Sequence, residues 1–220
     1  MELLTDRSTG EIVPSAREAL TRLEENGHFV AIATGRAHYK ARKFTDANGF
    51  KNMVCCGGNG CVIDNELVEN IPLDKDGCIK IIHQAEEFGY GWCVALDDTK
   101  DVYMTDDKFL RQVGKRKEPT RYIIDDMLEV EKADAIYKVY VAIPKEDEEK
   151  LTTKELVGHL RFEPEYLMFQ PDNKRGGIIK MMEHLNADIK DVVSLGTTTM
   201  TWICFAQNGS PLRWEMHARI

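Results

Sequence analysis

The feature that most constrains the fold is the segment 28–36, an apolar run that ends at a hydroxyl, a glycine and a guanidinium. Its five consecutive apolar residues, 29–33, predict a buried parallel strand that is covered on both faces. Ligands of open α/β sheets bind just beyond the carboxyl ends of the strands, so Thr34, Gly35 and Arg36 are candidates for holding a phosphate or another anion. The alternative interpretation is an ordinary strand-to-helix turn.

The segments around this strand follow the helix-then-strand order of an α/β protein. A helix is predicted before it, with Ser15 as the N-cap, Glu18 completing a capping box and Asn26-Gly27 at the end. Further predicted elements are a helix at 36–48, a strand at 53–56, a turn at 57–60, a hairpin at 61–71, a helix at 178–185 and a strand at 191–196.

The pattern changes between about residue 77 and residue 164, where strand-like runs alternate with highly charged stretches. We interpret residues 78–164 as an α+β domain inserted into a core made of residues 1–77 and 165–220. The acidic run 146–149 is interpreted as the solvated face of a polar helix at 145–154 and not as a metal site. The basic run at 115–117 is interpreted as a solvated loop.

Charge and hydrophobicity exclude several classes of protein. The formal net charge of −8 over 220 residues disfavours a nucleic-acid partner, which would need a concentrated basic face. No apolar run reaches the length of a membrane span, and the first residues lack a secretory signal, so a cytoplasmic protein is expected. The six cysteines form no Cys-x-x-Cys pair and are expected to be reduced.

Four motifs in this order resemble the haloacid dehalogenase (HAD) superfamily, specifically the Cof-type phosphatases with a type IIB cap. They are Thr34-Gly35-Arg36 after a strand, Asn59-Gly60 after the next strand, Lys174 followed by Gly177-Ile178, and a strand that ends at Gly196. A cap-sized insert separates the second motif from the third. The resemblance covers nearly the whole chain, and it implies an α/β fold: a Rossmann-like core with a parallel sheet, plus an inserted α+β cap.

The resemblance also implies a reaction. Members of this family hydrolyse small phosphorylated metabolites with Mg²⁺ through an aspartyl-phosphate. By this resemblance Thr34 hydrogen-bonds the phosphoryl group and Lys174 neutralises its charge, while Gly35, Arg36, Asn59 and Gly60 lie near the substrate phosphate. The residues alone favour the interpretation of Lys174 as a surface lysine and of Asn59-Gly60 as a plain turn.

Two departures from the family pattern predict that the polypeptide as written is inactive. The first motif, Asp-x-Asp-Gly-Thr after an apolar strand, is missing at the N-terminus, where the chain reads as truncated. In the last motif, Gly-Asp-x-x-Asn-Asp, Thr197 and Thr201 occupy the aspartate positions, and hydroxyls do not replace carboxylates as Mg²⁺ ligands. The alternative function is a non-catalytic protein that binds phosphorylated ligands; a nucleotide-binding Rossmann domain is disfavoured because no G-x-G-x-x-G follows the first strand.

The genetic code suggests an origin for the second departure. Codons for 196–204, read from the third base of the Gly196 codon, permit Asp-x-x-Asn-Asp-Met-Asp-Met, and the same shift across 213–218 permits Met-Gly-Asn-Ala. We interpret this as the loss of one nucleotide near the Gly196 codon. Because the family's first strand lies between the strands at 28–34 and 192–195, its absence should leave these two about twice the usual 4.8 Å apart or force them together.

Overall fold

A computed structural model describes residues 12–116, 120–196 and 200–206 of the chain; for 195–196 and 200–206 only the backbone is considered. The described residues form two six-stranded sheets. The first sheet carries the predicted strand at its centre, and the second is formed mainly by the predicted insert. No helix in these ranges is long and apolar enough to cross a membrane.

The first sheet is built around β1, His28–Thr34, in which every residue after His28 is buried. One face of β1 packs against α1, Pro14–Glu25, and α2, His38–Asn48. The other face packs against α5, Lys174–His184. The prediction of a strand covered on both faces is therefore confirmed.

Two local predictions in this region have different outcomes. The predicted hairpin is confirmed: β3, Gly60–Ile63, pairs with β4, Glu66–Asn70, and the turn residues between them have φ of 50° and 69°, the left-handed values of a type I′ turn. The predicted Ser15 cap is wrong, because α1 already begins at Pro14. Proline is well placed there, since its missing N–H has no partner in a first turn.

The second sheet has the strand order β7-β6-β5-β8-β10-β9. Helix α3, Lys75–Glu87, covers one face, and α4, Lys108–Val113, packs against part of the other. Its strands are β5 Trp92–Ala95, β6 Asp101–Met104, β7 Arg121–Ile124, β8 Lys138–Val141, β9 His159–Glu163 and β10 Tyr166–Phe169.

The structure differs from the sequence prediction in several respects in this part of the chain. The predicted helix at 145–154 is instead two 3₁₀ segments, Lys145–Lys150 and Thr152–Leu156. Strands β7 and β9 were not predicted. Because β10 pairs with both β8 and β9, the second sheet extends to Phe169, beyond the expected boundary at residue 164.

The first sheet is completed by β2, Met53–Cys55, and by two strands from the end of the described chain, β11, Val192–Gly196, and β12, Met200–Ala206. Its order is β11-β12-β1-β2-β3-β4. Strand β12 runs antiparallel to both neighbours: Val30 pairs with Cys204, which in turn pairs with Val193. Strands β11, β1 and β2 share one direction, as in a parallel α/β core.

The position of β12 resolves the expectation of a gap or a collapse next to β1. Strands β1 and β11 are separated by one strand, and the space between them is filled by the segment that follows Gly196. The backbone groups of β1 on this side therefore pair in a regular ladder and are not left unsatisfied.

Candidate functional site

A cavity of about 490 Å³ lies between the two sheets, at the carboxyl end of β1. Its core side includes Thr34, Gly35 and Arg36 together with Lys174 from the start of α5. Its other side is the face of the second sheet opposite to α3, with Ala95, Val102, Tyr140, Tyr166 and Met168. The structure thus brings four of the predicted site residues to one cavity.

The backbone at the end of β1 is held by short polar contacts. Thr34 is 2% exposed, and its Oγ1 accepts a hydrogen bond of 3.2 Å from the Arg36 backbone N–H. The Arg36 carbonyl in turn accepts one of 2.8 Å from the backbone N–H of Cys56. A β-carbon on Gly35 would lie 3.3 Å from Nε2 of Gln170, so little room remains for a side chain at this turn.

Lys174 lines the same side of this cavity as Thr34. It is the first residue of α5, which Asn173 caps by accepting a 2.9 Å hydrogen bond from the Gly176 backbone N–H. The Lys174 side chain is 19% exposed, and its Nζ lies 3.2 Å from Oδ1 of Asp172, which also lines the cavity. Lys174 and Asp172 therefore place a paired cation and carboxylate on the wall of this cavity.

The structure does not bring Asn59 and Gly60 to this cavity. The Asn59 carboxamide donates to the Ile71 carbonyl at 3.0 Å, and its backbone carbonyl accepts from the Ile71 N–H at 2.8 Å, so both groups fasten the start of β3 to the end of β4. Gly60 opens β3, where a β-carbon would overlap the sulfur of Cys55. Asn59 instead lines a second cavity of about 550 Å³.

Two neighbouring glycines, Gly57 and Gly58, approach the backbone of residues 171–173 closely. Gly57 and Gly58 have φ of 67° and 116°, and β-carbons there would overlap the backbone oxygens of Pro171 and Asn173. The Asn173 N–H donates to the Gly57 carbonyl at 2.7 Å, which fixes the loop that leads into Lys174. The Gly-Gly doublet was the sequence signal for this contact.

Another part of the cavity wall is aromatic and contains a partly buried cation. The Arg116 guanidinium lies 3.8 Å from the ring centroid of Tyr140, and its Nη2 donates to Thr120 Oγ1 at 3.0 Å. The interpretation of 115–117 as a solvated loop is therefore wrong for Arg116, because the aromatic face of the second sheet offers it a stacking surface. Nothing local in the sequence signalled this contact.

Two carboxylates that line the cavity, those of Asp98 and Asp101, are hydrogen-bonded to other residues. Asp98 accepts from the Tyr39 backbone N–H at 3.0 Å and lies 2.5 Å from Nδ1 of His38. Asp101 is bound by the Arg121 guanidinium, whose hydrogen bonds hold the pKa of that carboxyl below its usual range.

The described residues do not fit a Mg²⁺ site. Among them, no three His, Cys, Asp or Glu side chains come together as potential ligands. Mg²⁺ needs carboxylate and water oxygens in octahedral geometry. Thr197 lies outside the described residues, and the Thr201 side chain is not described.

The segment 74–77 has the same Asp-x-Asp-Gly spacing as the family's first motif. In this segment, however, Asp74 is the N-cap of α3 and accepts a 2.9 Å hydrogen bond from the Gly77 N–H. Asp74 lines the second cavity and not the one that holds Thr34. Its carboxylate is therefore structural at this position.

Known proteins with the same architecture were found by sequence and by structure. The chain is 24% identical over 188 residues to the Bacillus subtilis (strain 168) protein named "Putative phosphatase YkrA", covering 84% of this chain and 72% of that protein.

Among solved structures, a protein of Geobacillus kaustophilus HTA426 has a TM-score of 0.65 at 21% identity, over 85% of this chain and 73% of that one. A HAD subclass IIB sugar phosphatase has a TM-score of 0.61 at 18% identity, over 85% and 74% of the two chains. At these identities the structural likeness establishes the fold alone. The family model of the haloacid dehalogenase-like hydrolases matches residues 3–198, and the chain belongs to that family.

Proposed function

We propose that these 220 residues bind a small phosphorylated metabolite in the cavity between the two sheets and, as written, do not hydrolyse it. The observation that carries this proposal is the convergence of Thr34, Gly35, Arg36 and Lys174 on one cavity whose opposite wall is aromatic. The sugar phosphatase activity of one structural relative supports a phosphate monoester as the ligand class.

In this proposal each residue has a defined part in binding. The Thr34 hydroxyl donates to a phosphate oxygen while its lone pair keeps the Arg36 backbone in place. Lys174 supplies the positive charge, which is more effective in a partly desolvated cavity than in bulk water. The organic part of the ligand lies against Tyr140 and Tyr166, where apolar surface is removed from water.

The absence of hydrolysis follows from the missing carboxylates. The family resemblance assigns the nucleophile and the acid/base to an Asp-x-Asp-Gly-Thr motif that the 220 residues do not contain. Orienting groups such as Thr34 and Lys174 stabilise charge, but without a nucleophile they supply only part of the barrier reduction. Mg²⁺ is expected for the family, yet the described residues do not fit it.

Thermal unfolding with and without ligand tests the binding proposal. A sugar phosphate at 100 times its Kd should stabilise the native protein by about 2.7 kcal/mol and raise Tm. Thr34→Val and Lys174→Ala should each remove most of this rise. Lys190→Ala removes an exposed lysine that is likewise paired with an aspartate, and should leave the rise intact.

Turnover is measured in the same samples with p-nitrophenyl phosphate and Mg²⁺. No release of nitrophenol is expected. Turnover that disappears in Thr34→Val and Lys174→Ala but persists in Lys190→Ala would show a working phosphatase and overturn the proposal. A ligand-induced Tm rise that is equal in all four proteins would remove Thr34 and Lys174 from the binding site.

We also infer that the segment after Gly196 arose by the loss of one nucleotide. Two observations support this inference: the family match ends at residue 198, and β12 runs antiparallel where the family places a parallel strand. Resequencing the gene across the Gly196 codon tests it. An extra base that restores Gly-Asp-x-x-Asn-Asp is expected, and a confirmed sequence with no such base in related strains would refute the inference.

A further inference from the structure

Cys56 occupies an unusual place in the wall of the cavity. It follows β2 directly, is half-buried, lines the cavity and donates its backbone N–H to the Arg36 carbonyl at 2.8 Å. Its φ of 52° lies in the left-handed region, which a residue with a β-carbon seldom adopts. Such strained residues concentrate at functional sites, because the surrounding structure must hold them there.

Several groups converge on the Cys56 sulfur. Sγ of Cys55 lies 4.0 Å away, and the backbone at His38, the first residue of α2, acts to lower the pKa of Cys56. Lys138 of β8 adds a positive charge from the second sheet, while Asp98, on the turn between β5 and β6, opposes it. A thiol at a helix N-terminus with a nearby lysine is the environment that favours the thiolate.

The pKa of Cys56 is shifted in the opposite direction to the pKa values of Cys55, Cys61 and Cys93. The hydrogen bond with Cys55 is the largest effect that lowers the pKa of Cys56, and burial acts against it. The same contact raises the pKa of Cys55, so Cys56 is the more acidic of the two neighbouring thiols. Burial raises the pKa of Cys61 to about 11 and that of Cys93 to about 12.

The cavity beside Cys56 also contains an unmatched acceptor. Gln170 is 2% exposed and lines the cavity, and within the described residues its Oε1 has no hydrogen-bond partner. Its Nε2 sits against Gly35, next to the residue whose carbonyl binds the Cys56 N–H. A group attached to Cys56 that carries an N–H donor would find this acceptor in the same cavity.

We propose that Cys56 is a covalent modification site whose thiolate attacks small disulfides that carry N–H donors. In this exchange the Cys56 sulfur forms a bond to one sulfur of the small disulfide, the disulfide bond breaks, and the second sulfur leaves as a thiolate with the electron pair. No further oxidant or reductant is consumed, and a small thiol reverses the reaction. Cys55 remains a thiol, and the attached group lies at the Thr34 end of the cavity.

Exchange kinetics on the folded, fully reduced chain test this proposal. With 4,4′-dithiodipyridine at about pH 6, one thiol should react at least about tenfold faster than the others, and peptide mapping should place the label on Cys56. Cys56→Ser should lose the fast phase, whereas Cys61→Ser, at a neighbouring buried cysteine, should keep it. Cys55→Ala and Lys138→Met should slow it and move its pH midpoint upward.

Cystamine, whose two ammonium groups are N–H donors, then tests the ligand class. It should label Cys56 faster than bis(2-methoxyethyl) disulfide, which has no hydrogen-bond donor, and Gln170→Leu should abolish that preference. The proposal is overturned if the fast label maps to another cysteine, if no thiol exceeds the slow rate, or if both disulfides react equally. Mapping on the unsubstituted chain gives this answer even where a variant fails to fold.

Discussion

At the scale of single residues, Asp101 shows how a nearly buried charge is kept in this fold. Its side chain is only 8% exposed, and both carboxylate oxygens accept hydrogen bonds from the guanidinium of Arg121, a residue that is itself 64% exposed. The carboxylate is therefore shielded on one side by the second sheet and matched on the other by a bidentate partner.

Replacing Arg121 with methionine should make stability less dependent on acid. The pKa of Asp101 is held below its usual 3.8 by Arg121, so the pairing stabilises the native state above pH 4 and loses its effect as the pH falls through the lowered pKa. In urea unfolding, the unsubstituted chain should have a larger free energy of unfolding than Arg121→Met at pH 7. This difference should shrink as the pH is lowered to 3.

The matched control is Arg111→Met, which breaks an exposed pair with Asp107. Exposed pairs of this kind contribute little, so its unfolding curves should follow those of the unsubstituted chain at every pH. A difference between Arg121→Met and the unsubstituted chain that grows toward pH 3 would contradict the assignment.

At the scale of elements, α2 is capped by a residue from the other sheet. Its own N-cap is Ala37, which has no side-chain acceptor, and the Tyr39 backbone N–H is instead satisfied by Asp98 on the turn between β5 and β6. The same carboxylate contacts His38. One side chain therefore completes a core helix and ties the two sheets together at the edge of the cavity.

Removing this cap should cost stability in proportion to the hydrogen bonds lost. Asp98→Ala is expected to lower the free energy of unfolding by about 1 kcal/mol, whereas Asp98→Asn, which keeps an acceptor oxygen, should lose less. Asp97→Ala removes the exposed neighbouring carboxylate and serves as the control. Equal losses at Asp97 and Asp98 in chemical denaturation would argue against the cap.

Elements with local signals were predictable from the sequence. The run 29–33, the Asp64-Asn65 turn and the Asn26-Gly27 stop each specify backbone geometry without help from distant residues. The segment 145–154 was not predictable, because its charges suit a solvated helix, while Leu151 is fully buried and draws the backbone into two 3₁₀ segments. Tertiary burial overrides helix propensity there.

The residues of the candidate site also differ in whether a sequence motif pointed to them. Thr34 was a candidate because it stands at a recognisable strand end, whereas Lys174 was a candidate only through the family resemblance. Arg116 on Tyr140 and Asp98 on α2 were missed, since each joins segments that are far apart in the chain and neither partner has a distinctive local sequence. Sequence identifies such groups as charged, and only the assembled sheets show what they contact.

At the scale of the whole molecule, β12 holds the first sheet together. It pairs on both sides, so any backbone donor lost from it leaves an acceptor of β1 or β11 without a partner. Ile203→Pro should therefore destabilise the protein by at least about 2 kcal/mol in urea unfolding. The control Ile203→Ala keeps the backbone N–H and measures the contribution of the side chain alone. Equal losses of stability for Ile203→Pro and Ile203→Ala would contradict a central position of β12.

The pairing of β1 with β12 has a consequence for how the chain is made. Residues 28–34 leave the ribosome long before 200–206, and until then one edge of β1 has no strand to pair with. An apolar strand with an open edge is a template for association with other chains. The nascent protein should consequently depend on chaperones until residues 200–206 have been synthesised, because the centre of its first sheet cannot form before then.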